Sequence, residues 1–553
     1  MSKCKTVQVI PLGGMGEIGK NMYVFQSGDD ILVVDAGLKF PEDEMLGIDF
    51  VIPNFSYLVE NQHKLRGIVL THGHEDHIGG IPYLLQKIQA PIYGTRLTLG
   101  ILQGKLDEHG IQADTREVRA GEEISLGESF RVRFIRINHS IPDGVALAIE
   151  TPLGAIIHSG DFKFDQTPVD GQVTDYQTLA EYGRKGVLAL FADATNAHRR
   201  GYTPSERLVG RTFEQIFNQT QGRILIATFA SNIHRIQQAF DTAMEYQRKV
   251  AVVGRSMVNN VRVAHELGYL NFPDGICVDP EEINNFPPEK MVVLTTGSQG
   301  EPLSGLSRMA NQSHNRLTIV PGDTVIMSST PVPGNEKLVN RVIDGLSRAG
   351  ADVISQAEAD VHVSGHASQE ELKLMMNLVR PRYTVPFHGE YRHVAAYRHL
   401  AEQVGIPPEN ILAPENGDVL EFSENGARIT GRVSAGSVLV DGLGIGDVGS
   451  VVLRDRQQLA RDGMVVAVVT IDRVTKSIKA GPDIITRGFV YVRESEDLLC
   501  EAEEQVRQAL VKCLQNEGAD WAELKAAARD VLSGLLYERT KRRPMILPII
   551  MEV

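Results

Sequence analysis

Thr71-His72-Gly73-His74-Glu75-Asp76-His77-Ile78-Gly79-Gly80 is the stretch on which the reading of this chain turns. Three histidines and one aspartate fall within six residues, directly after the short apolar run 67–71. Neutral imidazole and carboxylate are the usual ligands of zinc and related divalent ions. Positions i, i+2, i+4 and i+5 cannot share one face of a regular helix. The spacing predicts a loop that wraps a metal pair and then enters a helix. A polar loop with several surface histidines is the plainer alternative.

A dinuclear site needs further ligands, and three places in the chain offer them. They are His139 in Ile137-Asn138-His139-Ser140, Asp161 in His158-Ser159-Gly160-Asp161, and His388 in Pro386-Phe387-His388-Gly389. Taken alone, each reads as a structural or surface residue. Taken with the first cluster, each follows an apolar strand-like run, where a metal ligand at the rim of a sheet should sit.

The chain has 553 residues, enough for three or four domains, or for two with insertions. Its 42% hydrophobic and 23% charged residues are those of an ordinary soluble globular protein. The net charge of −14 disfavours a protein that coats nucleic acid through a broadly basic surface. An enzyme with one local basic groove is still compatible with it. Cys4, Cys277, Cys500 and Cys513 lie far apart with no C-x-x-C, which predicts a reduced, cytoplasmic protein rather than a disulfide framework. The N-terminus lacks the apolar region of a signal peptide, and no apolar run approaches the ~20 residues of a membrane span.

Residues 1–160 read as short strands and turns, with strands at 6–12, 21–26, 31–35, 131–137, 146–150 and 155–158, and a hairpin turn at Ser27-Gly28-Asp29-Asp30. From about Gly222 the rhythm becomes strand and helix in alternation, which implies a parallel sheet covered by helices. From 361 to 400 the expectation is strand, loop, helix, strand, helix, with Ser368 and Glu371 forming a capping box. Beyond about 450 a separate domain is expected, with strands at 464–471, 488–492 and 546–551. Two helices accompany them, one striped by Leu499, Ala502, Val506, Leu510 and Cys513.

Gly14-Met15-Gly16-Glu17-Ile18-Gly19 follows a strand and matches G-x-G-x-x-G. A dinucleotide site also requires a crossover helix. The residues between Gly19 and Ile31 hold a strand and a turn instead, so the glycines are read as a tight loop approaching the active site. Gly297-Ser298-Gln299-Gly300-Glu301-Pro302 lacks G-K-[ST] and is read as a turn.

The pattern His72-x-His74-x-Asp76-His77 with His139, Asp161 and His388 resembles the metallo-β-lactamase superfamily. Asp193 in Phe191-Ala192-Asp193-Ala194-Thr195-Asn196 resembles the acidic motif that precedes a β-CASP insertion. His366 in His362-Val363-Ser364-Gly365-His366-Ala367-Ser368 resembles its histidine motif, and His388 the third β-CASP histidine. The opening 11–22 and the stretch Arg543-Pro544-Met545-Ile546-Leu547-Pro548 are similar to bacterial ribonuclease J. The resemblance covers essentially the whole chain.

It implies an α/β architecture: a metallo-β-lactamase αββα sandwich (1–205 and 365–445), an inserted α/β β-CASP domain (206–364), and a linker with a small α+β C-terminal domain (446–553). It implies two divalent ions per subunit, zinc first and manganese as the alternative. His72, His74 and His139 would hold one, Asp76, His77 and His388 the other, and Asp161 would bridge. The metals would activate water for in-line attack on a phosphodiester, leaving a 5′-phosphate. His366, assisted by Asp193, is the candidate general acid, with a phosphate contact as its alternative role. Glu75 is expected beside the site rather than on metal, and Asp35 to orient a ligand or the loop.

The resemblance further implies a pocket for a 5′-monophosphate, with His362, Val363, Ser364, Gly365, His366 and Ser368 as contacts. Ser231 and Asn232, at the start of a helix, are added as phosphate contacts or N-caps. A calcium ion near Gly47, Asp49 and Asp441 is implied for some members, with plain surface carboxylates as the alternative. The expected partner is single-stranded RNA with a 5′-monophosphate. The expected assembly is a homodimer or homotetramer, with other RNA-decay proteins as partners and no membrane. The expected activity is 5′-to-3′ exonuclease and endonuclease, in mRNA decay and rRNA maturation. Two other readings stay open: a weak subunit scaffolding an active paralogue, and a hydrolase of a small substrate. Arg235, Arg255, Lys337 and the run Arg539, Lys541, Arg542, Arg543 are basic residues available for RNA, without assignment.

Overall fold

This computed structural model describes residues 6–553 apart from 302–303, 333–334, 443, 473, 491–494 and 517–519. The chain divides into two compact units: residues 1–40 with 50–438, and residues 41–49 with 439–553.

The larger unit is built on two facing sheets. One has eight strands, from Gly426–Arg432 at one edge through Asp418–Ser423, Thr6–Gly13, Met22–Ser27, Asp30–Val34, Leu65–Val69 and Ile92–Gly94 to Thr115–Glu117. The other has six, in the order Pro381–Phe387, Val187–Asp193, Gly154–His158, Val145–Thr151, Phe130–Arg136, Glu123–Leu126. Val9, Phe25, Leu32 and Phe422 of the first meet Phe134, Leu147, Phe191 and Phe387 of the second in one buried cluster. Helices Tyr176–Lys185, Gln369–Val379 and Tyr391–Gln403 cover the second sheet's outer face. Burial on both faces explains why central strands such as Asp30–Val34, Val145–Thr151 and Val187–Asp193 read as apolar runs, whereas Phe130–Arg136, nearer an edge, alternates.

Between Val187–Asp193 and Gln369–Val379 the chain builds a third, all-parallel sheet. Its order is Cys277–Val278, Lys249–Val253, Met291–Thr295, Ile224–Ala227, Thr324–Met327, Asp352–Ile354. Helices such as Ile233–Glu245, Arg255–Glu266 and Glu336–Arg348 make the crossovers, as the strand–helix rhythm predicts. Gly297 and Gly300 both have positive φ and close a tight turn. Pro302 lies outside the described residues.

The smaller unit holds the sheet Ser477–Arg487, Met464–Asp472, Met545–Glu552 and the helices Glu496–Leu514 and Trp521–Thr540. The stripe Leu499, Ala502, Val506, Leu510 is buried as expected, but it continues to Leu514 rather than to half-buried Cys513.

Two expectations need correction, and one strand was not anticipated. No strand forms at 361–363, where the backbone runs as a loop. Residues 488–490 bend rather than extend, while 491 and 492 lie outside the described residues. The strand of that region is Ser477–Arg487, whose Gly481-Pro482 and charged residues disguise it; it lies at a sheet edge, where proline is tolerated.

Candidate metal centre

Strand direction assembles the site. Gly154–His158, Val187–Asp193 and Pro381–Phe387 run parallel, with His158 beside Phe191 and Asp193 beside Phe387. Their carboxyl ends therefore share one rim, which carries Asp161, Asp193 and His388. Asp30–Val34 and Leu65–Val69 are likewise parallel and deliver Asp35 and His72 at their ends. The loop after Leu65–Val69 then enters the short helix Glu75–Ile78.

His72, His74 and His139 form one group of potential ligands. His74 Nδ1 lies 3.0 Å from His72 Nε2 and 3.1 Å from His139 Nε2, so three ring nitrogens converge on one point. Two of the outward nitrogens are held by protein: His72 Nδ1 lies 3.0 Å from Thr71 Oγ1, and His139 Nδ1 lies 2.7 Å from the Gly365 carbonyl. Burial pushes these imidazoles below their ordinary range, His74 to about 4; neighbouring histidines add to this at His72 and His139, whereas Asp76 and Asp161 oppose it at His74. The three rings are neutral, as metal ligation requires.

Asp76, His77, Asp161 and His388 form the second group. His77 Nε2 is 3.2 Å from Asp161 Oδ2 and 3.7 Å from Asp76 Oδ2. His388 places Nδ1 3.1 Å from Asp161 Oδ1 and Nε2 3.1 Å from Asp76 Oδ2. Burial pushes both imidazoles down, but Asp161 and Asp76 outweigh it: His77 stands well above its ordinary value and His388 at about 10. This pocket favours positive charge at its nitrogens, whether a proton or a metal ion. Asp161 Oδ2 also lies 3.9 Å from His72 Nε2 and from His139 Nε2, so one carboxylate faces both groups.

Two observations test whether divalent ions fit. Three neutral imidazoles aim at one point, which is a metal donor set rather than a hydrogen-bonding one. His388 Nε2 is buried without a properly aligned hydrogen-bond partner although a carboxylate stands beside it. The donor sets fit divalent metal, and the Asp161 carboxylate faces both of them.

Behind the ligands, Asp35 accepts from Thr71 N and Thr71 Oγ1, both at 2.8 Å, and lies 2.7 Å from His77 Nδ1. These contacts fix the His77 ring and the start of the loop. Asp35 and His388 both occupy the left-handed region, at φ +59° and +53°, a strained conformation that the surrounding contacts impose. His388 N donates to the Gly14 carbonyl at 2.7 Å, so the glycine loop does approach the site. Glu75 faces away and pairs with Lys105.

A third group, Asp161, Asp193, His366 and His388, shares two members with the second. His366 Nδ1 lies 2.7 Å from Asp193 Oδ2. Burial lowers the His366 imidazole, but Asp193 overcomes this and raises it. Asp193 Oδ1 is fixed by Thr195 N at 2.9 Å.

The remaining candidates separate. Ser364 Oγ accepts from Asn196 Nδ2 at 2.8 Å and from His366 N at 3.2 Å, which leaves its own O–H to donate. His362 Nδ1 lies 2.8 Å from Arg235 Nη1, and the Val363 carbonyl accepts from Arg235 Nη2 at 3.1 Å. Arg235 itself is fully buried and bidentate on Glu206 (2.9 and 3.0 Å), so it braces this loop from within rather than meeting RNA at a surface. Gly365 serves His139: a Cβ there would lie 2.6 Å from its ring. Ser368 is buried and spends its hydroxyl as the cap of Gln369–Val379 and on Thr203, not on an open pocket. Asn232, rather than Ser231, caps Ile233–Glu245, accepting from Arg235 N at 3.2 Å.

In the smaller unit, Asp49 Oδ2 accepts from Gly442 N at 2.8 Å, while Asp441 is bound by the Arg456 guanidinium, which also donates to the Leu46 carbonyl. A Cβ on Gly47 would lie 2.7 Å from that guanidinium. A protein cation thus stands among the three residues considered for calcium. Arg539 pairs with Glu501, Arg542 donates to the Phe489 carbonyl, and Lys541 and Arg543 lie over Tyr537.

Sequence reading missed Thr71, Thr195, Asn196 and the Glu206–Arg235 pair. Only Gly365, wedged between a serine and a histidine, carried a signal of close backbone approach.

The two sheets, the inserted parallel unit and the paired ligand groups define a metal-dependent hydrolase of the metallo-β-lactamase superfamily with a β-CASP insertion. Residues 15–226 match that superfamily, 221–346 the ribonuclease J beta-CASP domain, 352–414 the Zn-dependent metallo-hydrolase RNA specificity domain, and 451–553 the ribonuclease J C-terminal domain. The chain is 48% identical over 551 residues to ribonuclease J2 of Bacillus subtilis, covering 99% of both chains. It is 46% identical to ribonuclease J 1 of Streptococcus pyogenes, covering 99% of this chain and 98% of that one. Ribonuclease J 2 of Staphylococcus aureus is 42% identical, with 100% of this chain and 99% of that one covered. A crystal structure of an Enterococcus faecalis protein of unknown function superposes with a TM-score of 0.53 at 15% identity. It covers 76% of this chain and all of its own, a likeness of fold alone. The chain belongs to the ribonuclease J family of metal-dependent ribonucleases.

Proposed function

We propose that this enzyme degrades single-stranded RNA from a 5′-monophosphorylated end and also cuts internally, leaving 5′-phosphate products. Its role would be in mRNA decay and rRNA maturation in the cytoplasm. It would act as a homodimer or homotetramer alongside other RNA-decay proteins. One observation supports this best. The His366–Asp193 pair shares Asp161 and His388 with the metal ligands, and the donor atoms of that group lie within 4.8 Å of one another. Ligands and a proton donor thus border one reaction volume.

The first ion would be held by His72, His74 and His139, the second by Asp76, His77 and His388, with Asp161 shared; zinc suits this set first, manganese second. Bound there, the ions make a nucleophile from water near neutral pH and offset charge on the phosphate oxygens. Asp193 stabilises the imidazolium of His366, which protonates the leaving 3′-oxygen. Ser364, with its free O–H, and His362, held by Arg235, would receive the phosphate of the terminal nucleotide, with Ser231 at the start of the neighbouring helix. The loop 361–368 therefore joins the acid to the specificity pocket.

The test is a time course on 5′-monophosphorylated single-stranded RNA with metal supplied, wild type beside His72→Ala/Asp76→Ala. Mononucleotides released from the 5′ end are expected, absent with the double variant and slowed by a 5′-triphosphate. No cleavage by folded, metal-loaded wild type would sink the autonomous enzyme and favour a subunit that needs a partner.

A further inference from the structure

Away from the metal centre, the inserted domain holds a cavity of about 510 Å³. It opens where the parallel strand Lys249–Val253 ends, between helix Arg255–Glu266 and the segments 280–283 and 308–317. Open parallel sheets bind ligands outside the carboxyl ends of their strands, and this volume suits a nucleotide. Arg255, Arg262, Arg308, His314 and Arg316 line it together with the apolar Val253 and Leu317. Four guanidinium groups around one cavity need explanation in a chain of net charge −14.

Their own protein partners do not supply one. Arg262 pairs with Glu266 at 3.0 Å and Arg316 with Glu281 at 3.2 Å, all four side chains more than half exposed, so these pairs contribute little. Among the described residues, the Arg255 side chain has no hydrogen-bond or ion-pair partner, and that of Arg308 reaches only Asn315 Oδ1 at 3.3 Å. His314 Nδ1 accepts from Arg316 N (3.3 Å) and Leu317 N (3.1 Å), which fixes the ring and puts its proton on Nε2. Burial and then Arg308 and Arg316 hold that imidazole below its ordinary value, as a positive potential does.

Planar guanidinium forks match phosphate oxygens in pairs. We propose that this cavity is an accessory RNA-anchoring site, which takes a nucleotide and its phosphate from a part of the strand outside the catalytic centre. The proposal rests on the ribonuclease reading and extends it. The anchoring helix is not remote from the chemistry: its Asn259 stands so close to Gly104 that a Cβ there would meet the amide at 2.7 Å. Gly104 belongs to helix Arg96–Glu108, whose Lys105 pairs with Glu75 of the metal loop.

The test compares the full chain with Arg255→Gln/Arg308→Gln. With metal chelated, binding of a long single-stranded RNA is measured across a salt series. Loss of two phosphate contacts is expected to weaken binding about tenfold and to lower the log–log salt slope by about 1.4. With metal restored, kcat and KM for a short 5′-monophosphorylated oligonucleotide, which reaches only the catalytic centre, stay at wild-type values. Unchanged long-RNA affinity and salt slope would overturn the proposal. AMP, titrated as a probe of free nucleotide, separates the sources: AMP binding lost in the variant while long-RNA binding persists assigns the cavity to a small nucleotide and overturns an RNA anchor. Arg255→Glu/Arg308→Glu should give a larger loss in the same direction; if it does not fold, the glutamine pair decides. Failure of wild type to cut the short oligonucleotide would count against the ribonuclease reading instead, because binding under chelation is read separately.

Discussion

The two groups of candidate metal ligands solve the same problem differently. His72, His74 and His139 form an uncharged set whose imidazoles burial keeps neutral, and the outward nitrogens of His72 and His139 are restrained by a hydroxyl and a carbonyl. Asp76, His77, Asp161 and His388 form an anionic set, in which two carboxylates hold two imidazoles up against burial. The first set is organised by what stands behind it, the second by its own charge. Asp161 faces both sets, so the comparison singles it out as the first residue to change.

The largest effect should come from Asp161→Ala. Losing the shared carboxylate should remove several kcal/mol of transition-state stabilisation, about 10³-fold or more in rate, and reduce both ions measured by elemental analysis. Loss of one ion only would break the idea of a shared ligand. Next, His72→Ala and His388→Ala should each retain about one of two ions yet abolish RNA cleavage, and a chelator should do the same to wild type. Equal loss of both ions in either variant would erase the distinction between the groups. A smaller effect is expected when only the supports change. Gly365→Ala, which crowds His139, and Asp35→Asn, which loosens His77, should each cost about 10–100-fold in metal affinity or activity. A circular-dichroism spectrum like that of wild type would show that the fold survives. If Gly365→Ala leaves zinc affinity untouched, the first group does not depend on the close approach of this loop to His139. The smallest effect is reserved for Ser368→Ala: about 1 kcal/mol of stability, read by thermal melting, with RNA affinity unchanged. A drop in affinity for 5′-monophosphorylated RNA would return Ser368 to the phosphate pocket.

Much of this was legible beforehand, for a physical reason. Each ligand follows an apolar run, and apolar runs in a doubly covered sheet must be buried strands, so the polar residue just beyond them has to stand at a rim. The expected strands at 6–12 and 131–137 appear as Thr6–Gly13 and Phe130–Arg136. The turn at Ser27–Asp30 closes the hairpin that rules out a dinucleotide crossover. Ser477–Arg487 was not legible, because an edge strand can carry the Gly, Pro and charges that otherwise signal a loop. Nor was the use of Arg235: a lone arginine reads as surface charge until a buried carboxylate, Glu206, is found against it.

What the sequence determined by itself is the chemistry of the site. Residue type settles which atoms can ligate a metal or move a proton, and the run of three histidines and an aspartate admits few other uses. Only the tertiary structure decided which residues support which. The Gly365 carbonyl reaches His139 across 226 positions of chain, and Asp193 reaches His366 across 173. Those partnerships depend on parallel strands ending at one rim and on a loop returning from the inserted domain. Ser368 became a cap and Gly365 a support for His139 by the same cause: a hydrogen bond goes to whichever group the packing brings within reach, and local sequence does not encode that distance.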